Sequence, residues 1–184
     1  METKNQYRNM VFETLFGYCA ILFRENPFFL VRVLLPSDKK DQLRKMVQKE
    51  VWGDSGCHPK AQAISDFIID YFAGKPVGLK TPSWDILDMK HLTPLHQQVL
   101  RSTSEIPYGN VCSYKEIAQA LKRPRAYRFA GSCMAKNPFP IIIPCHRVVR
   151  SNLSVGKFGG GSEMKKKMIE LEAKNSFKYM AFRQ

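Results

Sequence analysis

The residues best suited to chemistry lie in one string, Asn137-Pro-Phe-Pro-Ile-Ile-Ile-Pro-Cys-His-Arg-Val-Val149. A cysteine acts as a nucleophile in its thiolate form, and neighbouring imidazole or cationic groups lower its pKa. Cys145 stands directly before His146 and Arg147, so the string contains the groups that a reactive thiol needs. A Cys-His pair by itself is more often structural, and the pair alone leaves both interpretations open.

The residues before Cys145 indicate how the thiol is held. Residues 141–143 are three isoleucines bounded by prolines, a pattern typical of a short, stiff, buried segment. If this segment is a strand, successive side chains point to opposite faces, so Cys145 and His146 diverge. A bridging water or a sharp turn would then have to connect the thiol with the imidazole.

Two helices are predicted immediately before this string. Ser113-Tyr-Lys-Glu116 has the S-x-x-E spacing of a capping box and begins a helix that runs to about Leu121. Residues 122–124 end it, and residues 125–136 form a second helix that stops at Asn137-Pro138. Helix, short turn, helix is the geometry of a DNA-binding helix-turn-helix, here about residues 113–137, although many helix pairs bind nothing. Four basic residues favour DNA binding: Lys122, Arg123, Arg125 and Arg128.

The positive charge is concentrated in the second half of the chain. Residues 1–100 carry 13 basic and 11 acidic side chains, whereas residues 101–184 carry 16 basic and 5 acidic ones, a net charge of +11. This asymmetry is typical of proteins that bind a phosphate backbone, but charge alone is equally compatible with a merely cationic surface. A membrane partner is not expected, because no basic amphipathic helix has a bulky apolar face.

Composition predicts a globular intracellular protein. The chain has 184 residues, 44% of them hydrophobic, and no apolar run approaches the roughly 18 residues that a membrane span needs. Residues 1–10 lack the shape of a signal peptide, and five cysteines without a C-x-x-C pair favour reduced thiols. We therefore expect a cytoplasmic protein, or a nuclear one in a eukaryote. Convergence of Cys57, His58, His91 and His96 on zinc is possible but not favoured by their spacing.

The fold is predicted to be α/β, of the α+β type. Residues 18–35 form two β-rich runs separated by Glu25-Asn26-Pro27, which predicts a hairpin. Helical apolar spacing follows at residues 38–51 and 63–72, and a further helix is predicted from Thr93 to about Ser104. The pattern is interrupted over residues 81–92. We therefore predict a small N-terminal α/β domain with a β-sheet, residues 1–88, and a mainly helical C-terminal domain, residues 89–184.

The string around Cys145, placed after a helix-turn-helix in a basic region, resembles the O6-alkylguanine-DNA alkyltransferases, the methylated-DNA–protein-cysteine S-methyltransferases. The likeness extends from about Thr93 to Glu172, and the Pro-Cys-His-Arg core is highly specific for that family. The resemblance implies DNA repair by direct damage reversal. An alkyl group would move irreversibly from O6 of guanine, and possibly from O4 of thymine, to the protein's own cysteine, once per molecule and without a cofactor. The implied partner of this monomer is the minor groove of double-stranded DNA.

The resemblance also assigns catalytic roles. Cys145 matches the alkyl acceptor, His146 the base that reaches the thiol through a water, and Glu172 the carboxylate that orients the histidine. Tyr114 matches the tyrosine that donates a proton to the leaving guanine, with a core aromatic as the alternative. Asn137 matches the asparagine that braces the segment before the cysteine, and it could also cap the preceding helix.

Glu172 can be checked independently of the resemblance. It follows Met168 by four residues and Met164 by eight, so it lies on the apolar face of the predicted last helix. A carboxylate in that position is usually paired. The alternative is a solvated glutamate at a frayed helix end.

The remaining implied positions fall on the DNA surface and around the base pocket. Arg128 matches the arginine that enters the base stack in place of the extruded nucleotide. The other DNA-binding positions are Arg123, Arg125, Ala126, Tyr127, Gly131 and Ser132. Tyr127 and Phe129 are bulkier than a close approach to the groove favours. The pocket positions are Met134, Pro140, Val148, Val155, Gly156, Phe158, Gly159 and Gly160, with Lys165 at the border of the loop. The carbonyls of Cys145 and Val148 match acceptors for the guanine amine.

Two other functions remain to be weighed. An alkyltransferase-like protein that binds damage without transfer would lack the acceptor cysteine, which is present here as Cys145. A helix-turn-helix regulator would leave the Pro-Cys-His-Arg string unexplained. Some relatives bind zinc in the N-terminal domain, but Asn5 and Arg24 stand where two cysteine ligands would be expected, so we predict no metal.

Overall fold

A computed structural model of the chain describes residues 7–50, 55–75 and 82–181. The chain forms two compact units, Met1–Asp88 and Met89–Gln184. Within the described ranges, no helix is both long enough and apolar enough to cross a membrane. The first unit contains the larger sheet and the second is mainly helical, which confirms the predicted α+β class.

Among its described residues, the first unit has a three-stranded antiparallel sheet, two α-helices and a 3₁₀ turn at Trp84–Ile86. The strands are β1 (Tyr7–Thr14), β2 (Gly17–Arg24) and β3 (Phe29–Ser37), in the order β1-β2-β3. The helices are α1 (Lys40–Glu50) and α2 (Pro59–Phe72). The predicted hairpin is confirmed as β2 and β3. Strand β1, which the sequence did not predict, pairs with β2 from Tyr7 opposite Arg24 to Thr14 opposite Gly17.

The middle strand is apolar without alternation because both of its faces are covered. Ala20 and Leu22 on one face form a core cluster with Leu43 and Val47 of α1. On the other face, the Phe23 ring lies near the ring of His58, the residue that caps the start of α2; the two ring centroids are 6.4 Å apart. Two helices therefore bury the two sides of one small sheet, and this unit shows a packed core with little chemistry.

The second unit contains four helices and a two-residue parallel strand pair. Its helices are α3 (Pro94–Ser104), α4 (Tyr114–Ala120), α5 (Tyr127–Ala135) and α6 (Gly161–Ala181), and its strands are β4 (Cys112–Ser113) and β5 (Val148–Val149). The predicted helix pair is confirmed as α4 and α5. The second helix begins two residues later than predicted, because Pro124–Ala126 forms a separate 3₁₀ turn.

The start of α4 is fixed by the predicted capping box. The Ser113 N–H donates to Glu116 Oε2 at 2.7 Å, and the Glu116 N–H donates to Ser113 Oγ at 3.1 Å. Ser113 also pairs with Val149 across the β4–β5 ladder. The same residue therefore starts the first helix of the pair and holds it beside the segment that follows Cys145.

The segment before Cys145 is buried, as predicted, but it is not a strand. Ile141 has a φ of 76°, and the Ile143 N–H donates back to the Phe139 carbonyl at 2.8 Å. Residues Cys145–Arg147 continue as a 3₁₀ turn. The chain thus makes the sharp turn that the sequence left open, and a β-branched residue at positive φ is held there by the surrounding contacts.

Replacing Ser113 with alanine should lower the free energy of unfolding by about 1 kcal/mol, because the Glu116 N–H loses its acceptor at a helix start. Urea denaturation at pH 7 measures this change. Ser113→Thr keeps the hydroxyl and should restore most of the loss. Ser151→Ala, at an exposed loop position, is the matched control and should be neutral; an equal loss there would contradict the capping assignment.

Candidate active site

Cys145 begins the 3₁₀ turn and is only 3% exposed. Burial raises the pKa of its thiol, while a hydrogen bond from the Asn137 side chain and the positive charge of Lys165 act in the opposite direction. Burial wins, so the resting thiol is neutral. A neutral thiol is a weak nucleophile, and reactivity at this position requires a group that removes its proton.

Asn137 ties the turn before Cys145 together. Its Nδ2 donates to the Ile143 carbonyl at 2.9 Å, and its Oδ1 accepts from the Phe139 N–H at 3.0 Å. The capping residue at the end of α5 is Lys136. The bracing geometry expected for Asn137 is therefore present. Its backbone N–H also donates to the Met134 carbonyl of the last turn of α5 at 3.3 Å, one residue after the capping Lys136.

Glu172 on α6 lies at the centre of the site and is 1% exposed. Its Oε1 accepts from His146 Nε2 at 2.6 Å and from an Arg147 terminal nitrogen at 3.1 Å. Its Oε2 accepts from Arg147 Nε at 2.9 Å and from the Gly109 N–H at 2.9 Å. The predicted pairing of this buried carboxylate is confirmed. Arg147, for which the sequence analysis assigned no role here, is a second partner and carries the counter-charge.

The charges in this cluster can be assigned from burial and geometry. Burial opposes ionisation of Glu172, but the hydrogen bonds from His146 and Arg147 and the positive charge of Arg147 outweigh it and lower its pKa to about 2. Burial lowers the pKa of His146, and the nearby Arg147 and Lys165 lower it further against the pull of Glu172. The resting imidazole is therefore neutral. A carboxylate only accepts, so Nε2 carries the hydrogen and Nδ1 is the ring atom able to take a proton.

Tyr114 and Lys165 meet beside Val148, the residue that follows the Cys145 turn. The Lys165 ammonium donates to the Val148 carbonyl at 2.5 Å and to the Tyr114 hydroxyl at 3.4 Å. Burial lowers the pKa of Lys165 to about 8, opposed by the negative charge that Cys145 can carry. Burial raises the pKa of Tyr114, so its hydroxyl keeps its proton at neutral pH.

The burial of Lys165, 1% exposed, was missed by the sequence reasoning, which placed it at the border of a loop. The signal was present in the helix spacing. Lys165 precedes Met168 by three residues and Glu172 by seven, so all three share one face of α6. The sequence analysis used Met164 and Met168 to predict that Glu172 lies on the apolar face, but it did not apply the same spacing to Lys165.

Two glycines contact the Tyr114 ring. Gly156 has a φ of 65°, and a Cβ there would lie 3.2 Å from the Tyr114 hydroxyl oxygen. A Cβ on Gly131 would lie 3.9 Å from the ring edge. Gly156 therefore meets two requirements that favour glycine, a left-handed backbone and a close approach. Gly131 brings α5 against the aromatic ring that starts α4.

The other predicted pocket residues are distributed between core and loop. Val148, Pro140 and Met134 are buried, and the Met134 sulfur lies 3.5 Å from the Thr103 hydroxyl. Four residues lie on the glycine-rich loop before α6: Val155, Phe158, Gly159 and Gly160. Of these, Phe158 has its ring centroid 5.9 Å from the Lys165 ammonium.

Both carbonyls expected to receive a guanine amine already accept one hydrogen bond. The Val148 carbonyl accepts from Lys165, and the Cys145 carbonyl accepts from the Val148 N–H. Each carbonyl oxygen has a second lone pair, so a further donor can be accommodated. The role of these carbonyls as acceptors for a guanine amine stays a prediction.

The predicted DNA-binding residues lie on one basic surface. Arg123, Arg125, Arg128 and Ser132 are exposed, as are the bulky Tyr127 and Phe129, while Ala126 and Gly131 are half-buried. No acidic residue occurs between Glu116 and Glu163. The outer face of α5 and the turn before it therefore have uncompensated positive charge.

No metal site is found in the part of the chain that the structure describes, where no group of three or more His, Cys, Asp or Glu side chains could hold an ion. His58 uses Nδ1 to cap α2, and His96 Nε2 lies 3.2 Å from the Cys133 carbonyl. Arg24 is buried and pairs with Asp88 at 3.4 Å. Asn5 lies outside the described residues.

Glu172→Gln should lower the free energy of unfolding by about 3 kcal/mol at pH 7, because the Arg147 guanidinium loses its buried counter-charge. The pKa of Glu172 is lowered in the folded state, from 4.5 to about 2. Its contribution to stability is therefore complete above about pH 4.5 and is lost as the pH falls toward 2. Urea unfolding at pH 7 and pH 3 should show the difference between variant and wild type shrinking. Glu170→Gln, an exposed position on the same helix, should show no such pH dependence; a constant difference for Glu172→Gln would contradict the ionised pair.

Part of the chain is similar in sequence to known proteins. The family model described as 6-O-methylguanine DNA methyltransferase, DNA binding domain, matches residues 94–174. A methylated-DNA–protein-cysteine methyltransferase from Methanosarcina barkeri is 38% identical over 105 residues, which are 57% of this chain and 63% of that protein. A protein of the same name from Methanothermobacter thermautotrophicus is 40% identical over 88 residues, 47% of this chain and 48% of that one. The chain thus matches less than two thirds of the length of these relatives.

The fold is similar over nearly the whole chain to a solved structure. The crystal structure of the Mycobacterium tuberculosis O6-methylguanine methyltransferase superimposes with a TM-score of 0.71 at 26% identity, covering 92% of this chain and 94% of that one. The same mycobacterial protein in complex with DNA gives a TM-score of 0.68. Residues 94–174, which hold the helix pair, the Cys145 turn and Glu172, are thus the part of the chain that is similar in sequence to the O6-methylguanine-DNA methyltransferases.

Proposed function

We propose that this protein repairs alkylated DNA directly, by moving the alkyl group from O6 of guanine to its own Cys145. The observation that carries the proposal is the cluster in which His146 follows Cys145 and donates to the buried Glu172 carboxylate at 2.6 Å. A hydrolase could use the same three residue types. The similarity of residues 94–174 to the O6-methylguanine-DNA methyltransferases and the basic surface of α5 favour transfer from DNA.

The transfer needs one proton removed and one supplied. The Cys145 thiol gives its proton to His146 Nδ1 through a water, and the resulting imidazolium is stabilised by the Glu172 carboxylate. The sulfur then attacks the alkyl carbon in line with O6. A sulfur–carbon bond forms, the carbon–O6 bond breaks, and its electron pair stays with guanine, which takes a proton from Tyr114. The thioether product resists hydrolysis, so each molecule acts once.

Tyr114 and Lys165 suit the proton-donor side of this reaction. The raised pKa of Tyr114 keeps the hydroxyl protonated before transfer. After donation the oxygen becomes a phenolate, and the Lys165 ammonium, 3.4 Å from it, would stabilise that charge. A donor held beside a fixed cation needs little reorganisation when charge develops.

The proposed partner is double-stranded DNA that contains an alkylated guanine. Arg128 would fill the gap left when the nucleotide is extruded, and the remaining basic residues of the surface would contact phosphates. As in the O6-alkylguanine-DNA alkyltransferases, α5 would lie in the minor groove. The protein would act as a monomer. Its compartment would be the one that holds DNA, the cytoplasm or, in a eukaryote, the nucleus.

Intact mass after incubation with duplex DNA containing one O6-methylguanine tests the proposal, since only transfer adds a methyl group to Cys145.

Cys145→Ala should abolish transfer while leaving affinity for duplex DNA nearly unchanged, because the buried thiol contributes little to the basic surface. Intact mass and fluorescence anisotropy measure the two properties. Cys57→Ser and Cys112→Ser, which are not part of the cluster, should transfer normally. If the alanine variant still removed the methyl group from DNA, the acceptor would be another residue.

Arg128→Ala should slow transfer from duplex DNA by roughly 100-fold, because filling the gap of an extruded base offsets a few kcal/mol of unstacking and 1.36 kcal/mol corresponds to a factor of ten. Transfer from the free base O6-methylguanine needs no extrusion and should be nearly unchanged. Single-turnover rates on the two substrates measure the difference. Equal losses on both would instead assign Arg128 to support of the pocket.

A further inference from the structure

Two aromatic side chains on the basic helix are exposed without an evident structural reason. Tyr127 is 45% exposed and Phe129 is 38% exposed, while the other aromatic side chains that the structure describes are at least half-buried or lie in the core. Exposed apolar rings cost hydration free energy, and neighbouring ones on a surface otherwise made of charged residues commonly mark a contact region.

The helix geometry places the two rings on either side of Arg128. Successive residues of a helix are rotated by about 100°, so Tyr127 and Phe129 lie on the two flanks of the arginine. The opposite face of α5 packs into the core through Ala130, Cys133 and Met134. The Arg128 guanidinium carbon lies 5.9 Å from the Tyr127 ring centroid, so the ring and the arginine leave the helix on the same side.

The charge around the rings indicates what covers them. Arg123, Arg125, Arg128 and Lys136 are exposed on the same helix and the turn before it, with no acidic residue from position 117 to position 162. An apolar pair inside a basic surface matches a polyanion that also offers apolar area. Duplex DNA does so in its minor groove, where deoxyribose rings line the walls and base edges form the floor.

We propose that Tyr127 and Phe129 are apolar DNA contacts that pack against the sugars and unstacked base faces of the minor groove on either side of the point where Arg128 enters. This inference rests on the DNA-binding part of the proposed function. Rings of this size do not fit an unwidened groove of about 6 Å, so the chain must widen or bend the duplex more than a helix with only small residues would.

The test is the affinity of the full chain for undamaged duplex DNA, measured by fluorescence anisotropy over a range of salt concentrations. Tyr127→Ala and Phe129→Ala should each weaken binding by about 10-fold or more, the size expected for loss of an aromatic contact to a base. The slope of log affinity against log salt should not change, because apolar contacts release no counterions. Tyr127→Phe and Phe129→Tyr keep the rings and should bind like the wild type.

Two matched controls separate the ring contacts from other effects. Leu15→Ala removes an exposed apolar side chain from the first unit, 81% exposed, and should leave DNA affinity unchanged. Arg123→Ala removes a basic side chain from the same surface and should reduce the salt slope by about one. Thermal unfolding checks that each variant is folded, and Tyr127→Ser and Phe129→Ser provide a second pair of ring deletions.

Four results would overturn the inference. The variant with both rings replaced by alanine could bind DNA as tightly as the wild type. Alternatively, the slope of log affinity against log salt could decrease together with the affinity, which would mean that the rings only position the basic residues. Sedimentation could show that the rings hold two copies of the chain together while DNA affinity is unaffected. The test uses undamaged DNA, so it does not depend on alkyl transfer. If the wild-type protein binds DNA but its Cys145 is never methylated, the proposed function is refuted and the binding test of the two rings still decides the inference. A wild type that does not bind duplex DNA refutes both.

Discussion

The buried carboxylate of Glu172 is the constraint on which the second unit depends. A charge placed inside a protein is costly unless hydrogen bonds and an opposite charge offset that cost. Here the donors come from the turn at Gly109, from His146 and from Arg147. Arg147 also donates to the Ile106 carbonyl at 2.7 Å. The Glu172 side chain therefore holds α6 against two segments that are distant from it in sequence, residues 106–109 and residues 145–147.

The same cluster sets the protonation of the candidate site. Arg147 balances the charge of Glu172, so His146 need not be charged at rest and keeps Nδ1 available as a base. The Cys145 thiol is kept neutral by its burial. A reactive thiolate would therefore form only when the imidazole takes the proton, and Asn137 keeps the backbone around the thiol fixed while this happens. The Tyr114 hydroxyl keeps its proton and lies 3.4 Å from the Lys165 ammonium.

The helix pair and the site are parts of one packed unit. Tyr114 starts α4, contacts Gly131 of α5 and Gly156 of the loop, and follows Ser113, which pairs with Val149. A rotation of α5 would press on the Tyr114 ring. The surface that carries Arg128 and the groups around Cys145 are thus connected by direct contacts.

Local sequence determined much of this protein. The capping box at Ser113, the limits of α3 and α4, the β2–β3 hairpin and the pairing of Glu172 follow from hydrogen bonds and apolar spacing within a few residues. Tertiary structure decided what depends on distant partners: the contacts of Glu172 with both His146 and Arg147, the burial of Lys165 against Val148, and the addition of β1 to the sheet. It also decided the turn at Ile141, whose positive φ contradicts the preference of a β-branched residue. A sequence pattern records which face of an element is buried, but the contacts made there depend on residues that only folding brings together.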